Sequence, residues 1–175
     1  MGSNGYSRSK LPTQVAAVCY RLRGGSVEFL LVNTNGSGKW TFPKGCTHPR
    51  LSHSEAAARE ALEEAGAIGN IESRHFHIYL HSKGVFWKPP GVQEFLVKAY
   101  LFQVTEVHPP VESHRNPTWF PSIAAKQALA AGREVKYRHE LEAAVDRATE
   151  RIQALSANGH LRTLAGAASG SSKLW

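Results

Sequence analysis

The chain has very little sulfur and no long apolar run. Two of its 175 residues are cysteine and one is methionine. Cys19 and Cys46 stand in neither a CxxC pair nor a Cys/His cluster with zinc spacing. That excludes a disulfide framework and a zinc knuckle, and it predicts free thiols in a reducing, cytoplasmic compartment. No stretch approaches the roughly 18 apolar residues that a membrane-spanning helix needs. The opening MGSNGYSRSK has no apolar segment of the kind a secretory leader carries, so no membrane partner is expected. Acidic residues are also in short supply, 14 Asp and Glu against 21 Lys and Arg, for a formal charge of +7. Such a balance attracts polyanions over long range. The basic residues are scattered, with no helix-turn-helix, zinc-finger or RNP-like aromatic pattern, so anionic small molecules rather than nucleic acid are the expected partners. An oligomer is compatible with the sequence but not specified by it.

What is present is globular. Hydrophobic residues make up 42% and charged residues 20%, enough to build a core and too few charges for a disordered chain. The length fits one domain, placed at residues 12–158, between a flexible segment (1–11) and a tail rich in Gly, Ala and Ser (159–175). Two β-rich runs, Thr13 to Leu22 and Val27 to Thr34, flank Arg23-Gly24-Gly25-Ser26 and read as a hairpin. A short Trp40-Thr41-Phe42-Pro43 segment follows, then a loop from Lys44 to Leu51. Further strands are expected at His75 to Leu80 and Val92 to Val104, separated by a loop that could rim a substrate site. Helices are expected at about Pro121 to Ala131 and Tyr137 to Leu155. Strands around one central helix, with helices at the end, define an α/β fold with a mixed β-sheet.

The central helix carries the chemistry. Ser52-His53-Ser54-Glu55 has the form of a capping box, the alanine-rich stretch after it favours helix, and Gly66 is a natural residue to end one. A helix is therefore expected at about Ser54 to Ala65. On it Glu60, Glu63 and Glu64 lie at i, i+3 and i+4 and share one face. Three like charges within a turn repel, and hard oxygen donors of this kind suit Mg²⁺ or Mn²⁺ with water and phosphate completing the shell. Taken alone, REALEE reads equally as a solvated helix face on which Arg59 pairs with Glu63.

The surroundings select between these readings. Gly45, Arg59, Glu60, Glu63, Glu64 and Gly66 fall at six of the seven strict positions of a 23-residue pattern, and together they resemble the Nudix box. Chance agreement at a given start is on the order of one in a million, since each residue type occurs at roughly 7% or less. The departures are Leu51, where the pattern has its first glutamate, and alanines at both aliphatic positions, Ala61 and Ala67. Glu55 is out of register and committed to the helix start.

The resemblance implies a Nudix-type α/β/α sandwich with a mixed β-sheet and a hydrolase that cleaves a diphosphate linkage with Mg²⁺ or Mn²⁺. It implies Glu60 and Glu64 as principal metal ligands, Glu63 as a further direct or water-mediated one, and Arg59 as the residue that orients the carboxylates. Gly45 and Gly66 would shape the loop and the helix end. Glu60 or, outside the box, Glu94 would act as general base. Lys39, Lys44 and Arg50 would bind substrate, because the run Trp40 to Gly45 resembles members that act on dinucleoside polyphosphates and diphosphoinositol polyphosphates. Leu51 motivates an alternative: a catalytically weak domain that binds a nucleotide or polyphosphate as a sensor or regulator. Trp40, Phe86, Trp87 and Trp119 could stack on a base, although filling core edges is the ordinary role of such aromatics. His75 and His77 share a strand face but lack zinc spacing.

Overall fold

In a computed structural model of the protein, residues 11–84 and 91–159 are described. Strands β1 (Thr13–Arg23) and β2 (Ser26–Asn33) form the expected antiparallel hairpin. Gly24 and Gly25 turn it with φ of 56° and 80°, the pair of positive values at which a two-residue turn matches strand twist. The chain continues through β3 (Trp40–Thr41), β4 (Lys44–Cys46), helix α1 (His53–Ala65), β5 (Ala67–Ile71), β6 (His77–Gly84) and β7 (Val92–Val107). A 3₁₀ turn at Ser113–Arg115 then leads to β8 (Thr118–Pro121), α2 (Ser122–Ala130) and α3 (Val135–Ala157).

The sheet is mixed. β1 pairs in parallel with β7 and antiparallel with β2 and β4, while β7 also takes β5 and β6 antiparallel. Side chains alternate across strands, and the two faces of the sheet are both apolar. Val15, Ala17 and Cys19 of β1 with Tyr100, Phe102 and Val104 of β7 pack under Ala56, Ala57, Ala61 and Ala65 of α1. Ala16, Val18, Val97, Ala99 and Leu101 pack on the other face against Leu129 of α2 and Leu141, Ala144, Val145, Ala148 and Ile152 of α3. The result is an α/β/α sandwich in which, among the described residues, α1 is the one α-helix on its side. Among the described residues no helix is long and apolar enough to cross a membrane.

Helix α1 begins where the sequence places it. Ser52 Oγ accepts from the Glu55 N–H at 3.2 Å, and Glu55 Oε2 accepts from the Ser52 N–H at 2.7 Å. Both halves of the capping box are made, which confirms that Glu55 serves the helix start. Ser52→Ala should cost about 1 kcal/mol of stability, read as a lower urea midpoint with an unchanged slope.

Three stretches differ from expectation. Lys44–Cys46 is a strand rather than loop, because β1 offers Ala16, Val15 and Gln14 as antiparallel partners. β5 was not anticipated; it follows Gly66 directly and pairs with the far end of β7, which runs to Val107 rather than Val104. β6 starts at His77 and continues through His81-Ser82-Lys83-Gly84, a polar run that reads as loop until β7 supplies partners down to Val92. Phe86 and Trp87, and nearly all of the two flanking segments, lie outside the described residues.

Candidate functional site

Glu60 and Glu64 of the box meet the chain at β4, beside Gly45 and Lys44, whereas Gly66 lies against His108 beyond the end of β7. Antiparallel pairing sets Gly45 opposite Val15, on the α1 face, and Lys44 opposite Ala16, on the other. Adjacent residues therefore serve opposite sides of the sheet. A Cβ at position 45 would lie 2.1 Å from Glu60 Oε1, so glycine here makes room for the Glu60 carboxylate. Glu60, Glu63, Arg59, Leu51, Cys46 and His48 line a pocket of about 210 Å³.

The three helix carboxylates have different surroundings. Glu60 is half-buried and, among the described residues, has no hydrogen bond or ion pair. Burial, followed by the nearby Glu63 and Glu112 charges, pushes its pKa up. Glu63 is more exposed and pairs through Oε1 with Arg59 Nε at 2.7 Å, a surface interaction worth a few tenths of a kcal/mol. Glu64 is buried. Its Oε1 meets Arg115 Nη2 at 2.7 Å and its Oε2 accepts from the Lys44 N–H at 3.1 Å. Burial drives its pKa up to about 7, against the opposing pull of Arg115 and the Lys44 amide.

Two site residues were missed in the sequence. Glu112 donates its backbone N–H to Glu63 O at 2.9 Å and adds its carboxylate to the field around Glu60. Arg115, from the 3₁₀ turn, bonds Glu112 and Asn33 O as well as Glu64. They lie about fifty residues beyond the helix in a polar turn without motif spacing, so only the tertiary structure shows their role. Leu51 packs against the apolar layer under α1, and no side-chain carboxylate stands at that position.

On the opposite face a second group assembles. Tyr79, His81 and Lys83 of β6 alternate onto one side, facing Val97, Phe95 and Gln93 of β7. Lys44 reaches them from β4, and Arg133 from the α2–α3 turn, where its guanidinium donates to Leu129 O and Trp40 O. Burial, helped by the Lys44, Arg133 and Lys83 charges, depresses His81 to about 2 and keeps it neutral. Burial likewise lowers Lys44 to about 8; Glu64 opposes the shift and the neighbouring cations assist it. Tyr79 Oη is buried and has no hydrogen-bond partner among the described residues.

The remaining expected residues lie apart. Lys39 closes the turn between β2 and β3, with Cε 3.5 Å from where a Cβ on Gly132 would sit. Arg50 is exposed in the loop before α1, its N–H bonded to His48 Nδ1. Glu94 takes Lys136 Nζ and Tyr137 Oη at 2.7 Å each, which joins it to α3. Trp40 packs edge-on against Phe120 at 4.9 Å, and Trp119 lies under the Arg21 guanidinium at 4.1 Å. Both fill core edges. His77 Nε2 is buried with no partner among the described residues, and His75 packs edge-on to Tyr100.

The donor set fits a hard divalent ion on the Glu60 side. An unpartnered, half-buried carboxylate with Glu63 and Glu112 pressing on its charge is relieved by a cation. Among the described residues no three acidic, histidine or cysteine side chains form a protein-only cage. Mg²⁺ ordinarily keeps several waters and substrate oxygens in its shell, so two carboxylates suffice.

A mixed sheet between α1 and α2/α3, with a glycine-backed carboxylate on α1, is the α/β/α arrangement that the box resemblance implies. The NUDIX domain profile matches residues 12–141, and the chain belongs to that family. The chain is 35% identical over 83 residues to Nudix hydrolase 18, mitochondrial, of Arabidopsis thaliana, covering 42% of this chain and 47% of that one. With Nudix hydrolase 17, mitochondrial, of the same plant it shares 46% over 46 residues, or 26% and 25% of the two chains. The aligned region thus spans about half or less of these relatives. Among solved structures, a C. elegans Ap4A hydrolase binary complex superposes with TM-score 0.61 at 19% identity, over 82% of this chain and 99% of that one. The NUDIX domain of Shewanella oneidensis NrtR complexed with ADP ribose gives 0.57 at 17%, over 81% and 88%. At these identities they establish the shared fold.

Proposed function

We propose that the protein is a divalent-metal-dependent hydrolase that cleaves a diphosphate linkage in a multiply charged small molecule: a dinucleoside polyphosphate, a diphosphoinositol polyphosphate or another nucleoside diphosphate derivative. The observation that carries this reading is the crossing of the chain at Lys44-Gly45. It sets the Glu60 carboxylate, which has no partner among the described residues, on one face of the sheet and a row of cations on the other, one residue apart. Lys44, Lys83 and Arg133 have Glu64 as the anion acting on Lys44, a balance that favours further negative charge. The names of the solved neighbours, one an Ap4A hydrolase and one an ADP-ribose complex, support the same substrate class.

In this reading Glu60 and Glu64 would be the principal ligands of the ion, with Glu63 and Glu112 beside them, and Glu60 accepts a proton from the attacking water. Arg59 fixes Glu63 on the helix surface. A bound Mg²⁺ or Mn²⁺ would supply Lewis acidity to the phosphoryl oxygens and to that water. Lys44 and the cations beside it bind the remaining phosphates, with Lys39 and Arg50 at the outer edge. Glu94, held by α3, is the less favoured base. The free thiols support a reducing compartment, the cytoplasm in this reading, although both Arabidopsis relatives are named mitochondrial.

The test is phosphate or nucleotide release from a panel of these compounds with each metal. No release from any of them, with ligand still raising the melting temperature, would favour the binding domain that Leu51 suggests. A pH profile gives a second check. Lys44 is cationic below about pH 8 and neutral above it, so affinity for a polyanion is lost as pH rises through that value. kcat/KM, which reports free-enzyme ionisations, should show an alkaline limb near pH 8 that Lys44→Arg removes, since arginine stays charged.

A further inference from the structure

We infer that Lys39, Lys44, Lys83 and Arg133 form one graded receptor for the phosphates remote from the scissile bond, so that the protein selects its substrate by phosphate number. The inference rests on the hydrolase reading above and ranks its substrates, placing dinucleoside tetraphosphates and diphosphoinositol polyphosphates ahead of nucleoside diphosphate sugars. Geometry brings the cations together. Arg133 Nη2 donates to Trp40 O at 2.7 Å and Nη1 to Leu129 O, which ties the α2–α3 turn to β3. Lys39 precedes Trp40, and its Cε lies 3.5 Å from where a Cβ on Gly132 would sit, next to Arg133. Phe42 packs on Tyr79 with ring centroids 6.4 Å apart. The segment from Lys39 to Lys44 therefore runs against the strand that carries Tyr79, His81 and Lys83 on one face. Lys44 and Arg133 are partly buried, whereas Lys39 and Lys83 are exposed at the rim.

Two observations mark the cluster as built for an anion. Among the described residues none of these cations makes an ion pair, whereas Arg21, Arg115, Lys126 and Lys136 each hold a carboxylate at 2.8 Å or less. Glu64, the anion acting on Lys44, is already held by Arg115 at 2.7 Å. The floor also carries uncharged polar groups. Tyr79 is 1% exposed, and its Oη has no hydrogen-bond partner among the described residues. His81 is 9% exposed and kept neutral by burial and by the cations around it. A phenol and a neutral imidazole each offer a donor to a phosphoryl oxygen without adding charge, and Arg133 keeps donors beyond its two backbone bonds. Attraction to such a receptor grows with each negative charge brought within reach. A two-phosphate compound leaves the rim unfilled, and a longer chain reaches Lys39 and Lys83.

Calorimetric binding of inorganic pyrophosphate and tetrapolyphosphate to the purified full chain, in chelator and without metal, tests this. The wild type should bind tetrapolyphosphate at least about tenfold more tightly than pyrophosphate. Lys39→Met combined with Lys83→Met should bring that ratio below about threefold, and Arg133→Met should weaken both anions. If Arg133→Met does not fold, having lost its bonds to Trp40 and Leu129, the rim variant still decides. Arg23→Met combined with Arg74→Met removes the same charge from exposed residues at the β1–β2 turn and before β6, and should keep the ratio. With Mg²⁺ present, the rim variant should lose kcat/KM on a dinucleoside tetraphosphate, chiefly through KM, and keep it on a nucleoside diphosphate sugar. Equal affinity for the two anions, an equal loss in the Arg23/Arg74 variant, or faster turnover of the sugar compound by the wild type would overturn the inference while leaving a diphosphate hydrolase in place. No binding of either anion, together with no turnover of any substrate, would overturn both.

Discussion

Glu60→Gln should lower turnover of a diphosphate substrate by about 10²–10⁴-fold, the contribution of one positioned proton-transfer group. The substitution keeps the shape of the side chain and its place against Gly45, so the fold should remain intact. What it removes is the negative charge that, in the proposed mechanism, both draws the ion and accepts the proton. Because Glu60 is half-buried with its pKa already raised by burial and like charges, its neutral amide should cost little stability or even raise it slightly. The same change at Glu55, whose carboxylate caps the helix through the Ser52 amide, separates position from charge. Glu55→Gln should leave kcat within twofold. Steady-state assays at saturating Mg²⁺ or Mn²⁺ would decide, and a Glu60→Gln enzyme of near wild-type rate would remove Glu60 from the chemistry.

Gly66→Ala should be the most damaging small change to the fold. Gly66 ends α1 at φ 64°, a region that costs an L-residue roughly 1–2 kcal/mol. A Cβ there would also sit 1.8 Å from the His108 carbonyl oxygen. That carbonyl belongs to the chain whose N–H donates to Gly66 O at 2.8 Å, so relief of the clash strains the junction of α1, β5 and the end of β7. A total of about 3–5 kcal/mol is expected once overpacking is added, a fall in melting temperature of roughly 6–20 °C for a domain of this size. Gly25→Ala is the control. It has φ 80° with nothing within 4 Å of its Cβ, so it should show the conformational cost alone. Equal losses at the two positions would mean that the approach of His108 contributes nothing.

The contrast between these glycines shows what could be read in advance. Gly66 was legible as a helix end because capping is local, and the same holds for Ser52, Glu55 and the 3.6-residue spacing of Glu60, Glu63 and Glu64. The hairpin was legible because Gly24-Gly25 sits between two alternating apolar runs. β4 was not, since Lys44-Gly45-Cys46 carries no period and becomes a strand through β1. The polar His81 to Gly84 run reads as loop for the same reason, which hides the row of Tyr79, His81 and Lys83 near Lys44. Arg115 and Glu112 were hidden most fully. Their importance comes from contacts with Glu63 and Glu64 across about fifty residues, and no local propensity encodes a contact at that distance.

The parallel pairing of β1 with β7 has a kinetic consequence. Thr13 to Tyr20 register with Leu96 to Gln103, so the loop that this pairing closes is about eighty residues long and contains both β4 and α1. Closing it costs chain entropy before any contact repays it. The capping box can wind α1 early, but Gly45 cannot back Glu60 until β1 has been zipped between its partners. The motif therefore has no chemistry as an isolated peptide, and the carboxylate site should be among the last features to mature during refolding.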